Sequence, residues 1–199
     1  HEDCYFKTSQ LMVGNDIVDL HEAHIASNWQ RPRFLTKLFT ELEQRYIRDA
    51  KTPFLMVWRL WSMKEASYKL FTQIYPNRFY NPKGFECTVE NNSGTVKFNG
   101  FQCYVETKET SKYIISEARL NKQKLRSKIV KFKTTNQKEQ SEELKTRLLN
   151  YVGSAYQLKK NELNIPTLSN GKEHFNLSLT HHGTYGAFAI VGLCPEYAH

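Results

Sequence analysis

No stretch of the 199 residues approaches the roughly 18 consecutive apolar positions of a membrane-crossing helix, so no helical membrane span is expected within them. A basic-then-apolar signal is also missing at the start, and His1 in place of Met points to a trimmed or engineered beginning. The expectation is a soluble, cytoplasmic protein with no membrane partner. Cysteine is scarce. Cys4, Cys87, Cys103 and Cys194 have neither C-x-x-C spacing nor the density of a disulfide scaffold, and Cys87 and Cys103 read as thiols buried in neighbouring strands. Acidic residues are in deficit, 20 against 28 Lys and Arg, for a formal net charge of +8. That excess points to an anionic partner, whether nucleic acid, nucleotide phosphate, headgroup or acidic protein, and charge alone does not choose among them. What is present suffices for a core: 40% apolar and 13% aromatic residues can fill one good-sized domain or two small lobes.

The stretch Trp58-Arg-Leu-Trp-Ser-Met-Lys-Glu-Ala-Ser-Tyr-Lys-Leu-Phe71 reads as a helix, with Pro53 suited to its entry and neither Gly nor Pro inside. At about 100° per residue, Trp58, Ser62, Glu65 and Lys69 share one side while Leu60, Met63, Leu70 and Phe71 share the core side. On spacing alone Glu65 and Lys69 are an ordinary i, i+4 surface pair. Upstream, Leu11 to Leu20 reads as a strand that embeds Asp16 among aliphatic residues close to Gly14. Between these segments Thr40-Glu-Leu-Glu43 has the spacing of a capping box. The pair His21 and His24 lacks further metal ligands and reads as solvated.

Downstream of the helix, short strands are expected at 85–89, 95–98, 101–105 and 113–118, with Asn99-Gly100 as a type I′ hairpin turn. Residues 119–138 carry Lys122, Lys124, Arg126, Lys128, Lys131 and Lys133 and read as a solvated linker, with a phosphate-binding arm as the alternative. A helix is expected from Ser141, striped by Leu144, Leu148, Leu149 and Val152. The segment Asn176 to Val191 reads as strand, tight connection and strand, with Ser178, Thr180 and His181 crowding a strand end beside Gly183. Hydroxyls and an imidazolium in that position can donate to phosphate oxygens.

Three of these stretches together resemble the 4′-phosphopantetheinyl transferase superfamily: Gly14-Asn-Asp-Ile-Val18, Trp61-Ser-Met-Lys-Glu-Ala-Ser-Tyr-Lys69 and Ser178-Leu-Thr-His181. Their order resembles the small holo-acyl-carrier-protein synthase type, whereas the extra strands and helix before Ser169-Asn-Gly-Lys172 resemble the two lobes of the larger type in swapped order. The resemblance implies an α+β fold of antiparallel sheets packed on long helices, one domain over 1–199, divisible into lobes 11–120 and 139–199 about a basic linker, 121–138. It implies an enzyme that moves phosphopantetheine from coenzyme A to a serine of an apo acyl or peptidyl carrier protein, releasing adenosine 3′,5′-bisphosphate. Mg²⁺ would sit on Asp16 and Glu65, with Val18 where larger members carry another acid. Glu65, or a water, would be the general base, Lys69 the partner of developing phosphate charge, and Asp16 the third catalytic residue. Ser178, Thr180, His181 and Lys64 would bind the coenzyme A substrate. Arg31, Arg33, Phe34 and Lys37 would dock the acidic carrier protein. Both a trimer and a monomer are compatible with the resemblance. The competing reading is a non-catalytic module binding coenzyme A, a carrier protein or nucleic acid, and nucleic acid is the less favoured partner because acids aimed into a phosphate site repel it.

Overall fold

The computed structural model describes residues 12–76, 80–122 and 124–191; the lead-in expected over 1–10, Cys4 and Cys194 lie outside them. The described residues form ten strands and five α-helices, with a short 3-10 turn at Pro82–Gly84, in an α+β arrangement. The first half runs β1 (Val13–Asp19), α1 (Leu20–Ala26), α2 (Phe34–Leu38), α3 (Glu41–Asp49), α4 (Pro53–Ile74), β2 (Glu86–Glu90), β3 (Ser93–Phe98), β4 (Phe101–Glu109) and β5 (Tyr113–Arg119). The second half runs β6 (Leu125–Lys131), α5 (Gln137–Val152), β7 (Gln157–Lys160), β8 (Pro166–Ser169), β9 (His174–His182) and β10 (Tyr185–Val191). Two five-stranded sheets result, ordered β1-β5-β4-β3-β2 and β6-β10-β9-β8-β7. Both halves therefore repeat one plan: a strand, a long helix, then an antiparallel four-strand run whose last member pairs back on the first.

Local chemistry explains the elements. Thr40 and Glu43 form the full capping box expected from their spacing, each side chain bonding the other's backbone N–H. At the β3–β4 turn Asn99 (φ 42°) and Gly100 (φ 82°) both adopt left-handed conformations, as a type I′ hairpin requires. Helix α4 exceeds its expected length, opening on Pro53 at its first position and running to Ile74. It is buried on nearly all sides: Val57, Leu60, Met63, Ala66 and Leu70 pack into the first core, and Trp58 and Ser62, on the side expected to be polar, are buried too. A helix enclosed in this way has no solvated face. A second core, built on Leu144, Leu148, Leu168, Leu177 and Phe188, fixes α5 on the second sheet.

The residues expected as a linker are not one. Residues 125–131 form β6, the edge of the second sheet, paired with β10 from Leu125↔Val191 to Lys131↔Tyr185. Little of it is buried, which is why charge conceals it: Val130 is the one fully buried residue of the strand while Lys128 and Lys131 stay exposed, an arrangement suited to an edge strand. The helix expected from Ser141 begins four residues earlier, at Gln137, capped by Asn136. Cys87 and Cys103 are free, buried thiols as expected, but on β2 and β4, with β3 between them.

Candidate active site at the junction of the two sheets

Strand β1 joins the halves. One edge pairs with β5, and the other runs against β9, where side chains take the place of a backbone ladder. Asn15 N donates to Ser178 Oγ at 2.9 Å, Ile17 N to Thr180 Oγ1 at 3.2 Å, and Asp19 N to His182 Nδ1 at 2.9 Å. The alternation of a strand dictates this: residues 178, 180 and 182 share one face, and it is turned to β1. Helix α4 covers the same joint. Gly14 has no room for a Cβ, which would stand 1.9 Å from Ala66 O and 2.8 Å from Leu70 N, so strand and helix meet backbone to backbone. Ser62 Oγ donates to Asp16 O at 3.0 Å. Gln73 accepts from Val13 N at 3.1 Å and donates to Leu177 O at 3.1 Å.

That close approach brings Asp16 beside Glu65 and Lys69. The Lys69 ammonium donates to Asn15 O at 2.9 Å and Leu179 O at 3.0 Å, so it bridges β1 and β9 and leaves one of its three N–H groups for a ligand. Burial pushes the Asp16 carboxyl well above its ordinary value, Lys69 opposes this and Glu65 adds to it. Glu65 is likewise raised by burial, with Lys69 and the Tyr80 hydroxyl pulling it down. Burial lowers the Lys69 ammonium, and the two carboxylates hold it up. The buried Tyr80 hydroxyl has no hydrogen-bond partner of good geometry but lies within the field of Glu65, and its ring lies against Tyr68, tilted by 31° with centroids 4.2 Å apart.

Beside Lys69 a cleft of ≈ 380 Å³ opens between Tyr68, Thr72 and Gln73 of α4, Leu177 to Leu179 of β9, and Lys160 with the loop 163–166 that follows it. Lys160 is exposed and within electrostatic reach of His181, whose pKa is lowered by burial first and by Lys69, Lys160 and His182 after it. A mouth lined by Lys69 and Lys160, with His181 in reach of both, can neutralise phosphate, and the apolar Leu163, Ile165 and Pro166 can cover a flat ring.

Several expectations are corrected here. Lys64 does not reach this cleft. It is fully buried on the far side of α4, paired with Glu43 at 2.7 Å and donating to Pro82 O at 2.9 Å and Phe85 O at 2.7 Å, so it has no N–H left for coenzyme A. Ser178 and Thr180 are buried, and their oxygens receive the β1 N–H groups, so both serve the seam of the two sheets, while Ser178 also lines the cleft. His181 alone of that group faces away from β1, towards Gln140 on α5. Val18, at the position where larger members carry another acid, is buried in the first core and offers no ligand. The pair Glu65 and Lys69 is no solvated surface pair, because it is packed against β1. Arg31 lies over the Phe34 ring at 5.2 Å, and Arg31, Arg33 and Lys37 are exposed around α2, which keeps the basic, aromatic surface together.

Sequence reasoning overlooked Lys160, Tyr80, Gln73 and Gln140. Lys160 sits in ordinary polar text, and the others carry no pattern beyond single polar residues between apolar ones. Among the described residues no group of three or more His, Cys, Asp or Glu could hold a metal alone, yet two half-buried carboxylates brought together beside Lys69 suit Mg²⁺, which takes its remaining oxygens from water and substrate.

No curated protein sequence matches the chain. Among solved structures it is similar to holo-[acyl-carrier-protein] synthase of Thermotoga maritima, with a TM-score of 0.45 and 12% identity over 76% of this chain and 79% of that one. A sequence model of the 4′-phosphopantetheinyl transferase superfamily matches residues 12–125, more than half of the chain, including Asp16, Glu65 and Lys69 and ending at the start of β6. The chain belongs to the 4′-phosphopantetheinyl transferase superfamily.

Proposed function

We propose that this chain transfers 4′-phosphopantetheine from coenzyme A to a serine of an apo acyl or peptidyl carrier protein, in a Mg²⁺-dependent reaction that releases adenosine 3′,5′-bisphosphate. Phosphopantetheine transfer in general goes with the family. The observation that carries the finer reading is the convergence of Asp16, Glu65 and Lys69 beside a cleft with Lys160 at its mouth and His181 in reach. Asp16 and Glu65 would hold Mg²⁺ together with pyrophosphate oxygens. Bound there, the ion would neutralise the pyrophosphate and polarise the bond that breaks.

The chain's own residues supply the rest. Glu65, whose pKa burial raises, is a better proton acceptor than an ordinary glutamate and takes the serine proton as the hydroxyl attacks phosphorus. The bond from phosphorus to the bridging oxygen breaks, and the electron pair leaves on the bisphosphate. Lys69, pinned by two carbonyls with one N–H free, meets that developing charge without reorganising. Arg31, Arg33, Phe34 and Lys37 form the docking surface for an acidic carrier protein. Because one chain supplies both walls of the cleft, α4 and β9, we favour a monomer over a trimer, and a cytoplasmic location where coenzyme A and carrier protein meet.

The test is chromatographic detection of adenosine 3′,5′-bisphosphate from coenzyme A, in Mg²⁺ and in EDTA, with and without apo carrier protein. Release that needs both carrier and metal supports the reading. Coenzyme A left intact under every condition overturns it.

A further inference from the structure

We infer that Gln140 is a positioning residue that fixes the tautomer of His181, so that an anion can be held through Nε2 only by the protonated ring and its binding is accompanied by proton uptake. Gln140 lies in the first turn of α5 and is 1% exposed. Its amide nitrogen donates to two backbone carbonyls, Thr134 O at 2.9 Å and Gly183 O at 2.8 Å. Those contacts also settle which amide atom is which, because the reverse orientation would press the amide oxygen against both carbonyl oxygens. Both amide protons are thereby spent, and Oε1, 3.0 Å from His181 Nδ1, can only accept. Nδ1 must then carry a proton in every state of the ring.

The consequence falls on Nε2, which no hydrogen bond among the described residues engages. In the neutral ring Nε2 is a lone pair, and it repels a phosphate oxygen. The other neutral tautomer, with the proton on Nε2, would donate to phosphate but would turn the Nδ1 lone pair on Gln140 Oε1. Only imidazolium satisfies Gln140 and an anion together. The groups facing the ring set its resting state. Burial, Lys69 from α4, Lys160 at the end of β7 and the neighbouring His182 all disfavour the charged form, and Phe132 presents its ring at 6.4 Å. The free protein thus holds His181 largely neutral at pH 7, and an anion that offsets the two lysines draws a proton in. That the anion is a phosphate of coenzyme A rests on the proposed function; the tautomer does not.

The first measurement needs no substitution: long-range ¹H–¹⁵N correlation spectra of the His181 ring in the free protein above pH 8. The Nδ1–H tautomer is expected, against the Nε2–H form that dominates in unconstrained histidine, and finding the Nε2–H form would overturn the inference. Calorimetry of adenosine 3′,5′-bisphosphate binding at pH 7.5, in buffers of different ionisation enthalpy, then reads the proton count. A net uptake of protons is expected, and should fall severalfold in Gln140→Met, where Nδ1 has no acceptor to satisfy and the neutral ring can present Nε2–H to the ligand. Binding with no uptake in the wild type would refute the linkage. Absence of any binding, with the Nδ1–H tautomer in place, would refute the ligand reading and leave the role of Gln140 standing.

Discussion

Replacing Lys64 with methionine removes an ammonium that is fully buried and engages a carboxylate and two carbonyls, and keeps most of its volume. Glu43, equally buried, then loses its counter-charge while still receiving Thr40 N at 2.8 Å and Cys87 N at 2.9 Å. Breaking one partner of a buried pair typically costs about 3–5 kcal/mol, because the remaining charge stays desolvated. That is a large share of the roughly 5–15 kcal/mol that holds a domain folded. Urea unfolding followed by tryptophan fluorescence should show a lower midpoint with an unchanged slope. Coenzyme A affinity of the fraction still folded should match wild type within a factor of about two, since Lys64 lies away from the cleft. The double variant Lys64→Met with Glu43→Gln, which removes the stranded charge and keeps an amide oxygen for one of the two N–H groups, should recover part of the loss. A stable Lys64→Met protein with coenzyme A affinity weakened tenfold would refute this account and return Lys64 to the substrate.

Other consequences are as direct. Glu65→Gln, nearly isosteric, should abolish transfer with the fold intact, and near-normal turnover would refute Glu65 as base and metal ligand. Asp16 has a pKa raised by folding, so in metal-free buffer the folded state binds its proton more tightly than the unfolded state; its contribution is full below the ordinary 3.8 and is lost as pH rises through the raised value. Asp16→Asn should therefore melt higher than wild type at pH 7 in EDTA while losing transfer, measured by calorimetry and turnover. Gly14→Ala places a methyl 1.9 Å from Ala66 O, so β1 must lift from α4; a loss of about 1–3 kcal/mol, with transfer activity falling further than stability explains, is expected in melting and turnover assays. Ser178→Ala and Thr180→Val each orphan a buried β1 N–H and should cost about 1–3 kcal/mol in denaturant unfolding.

The legible part of the site was what helix and strand periodicity expose. Glu65 and Lys69 one turn apart, and Asp16 two residues after a glycine, needed only α4 to lie on β1, and Gly14 permits that. Lys64 was misplaced because a helical wheel distinguishes faces only when one is solvated, and α4 has none; its partner Glu43 already had a sufficient local explanation as half of a capping box. Ser178 and Thr180 could have been separated from His181 by strand alternation alone. What alternation cannot supply is the neighbour on each side, here β1 and Gln140. β6 was hidden because an edge strand buries little beyond Val130 and carries lysines that mimic a linker. Lys160 enters the site only through the pairing of β7 with β8, a contact with no local signature.

The most direct test of the central claim is the intact mass of an apo acyl carrier protein after incubation with coenzyme A and this protein, run for wild type, Asp16→Asn and Glu65→Gln, each in Mg²⁺ and in EDTA. A gain of one phosphopantetheinyl group only with wild type and Mg²⁺ is the result this structure predicts. An unmodified carrier in the wild-type reaction, or an equal gain with Glu65→Gln, would contradict it.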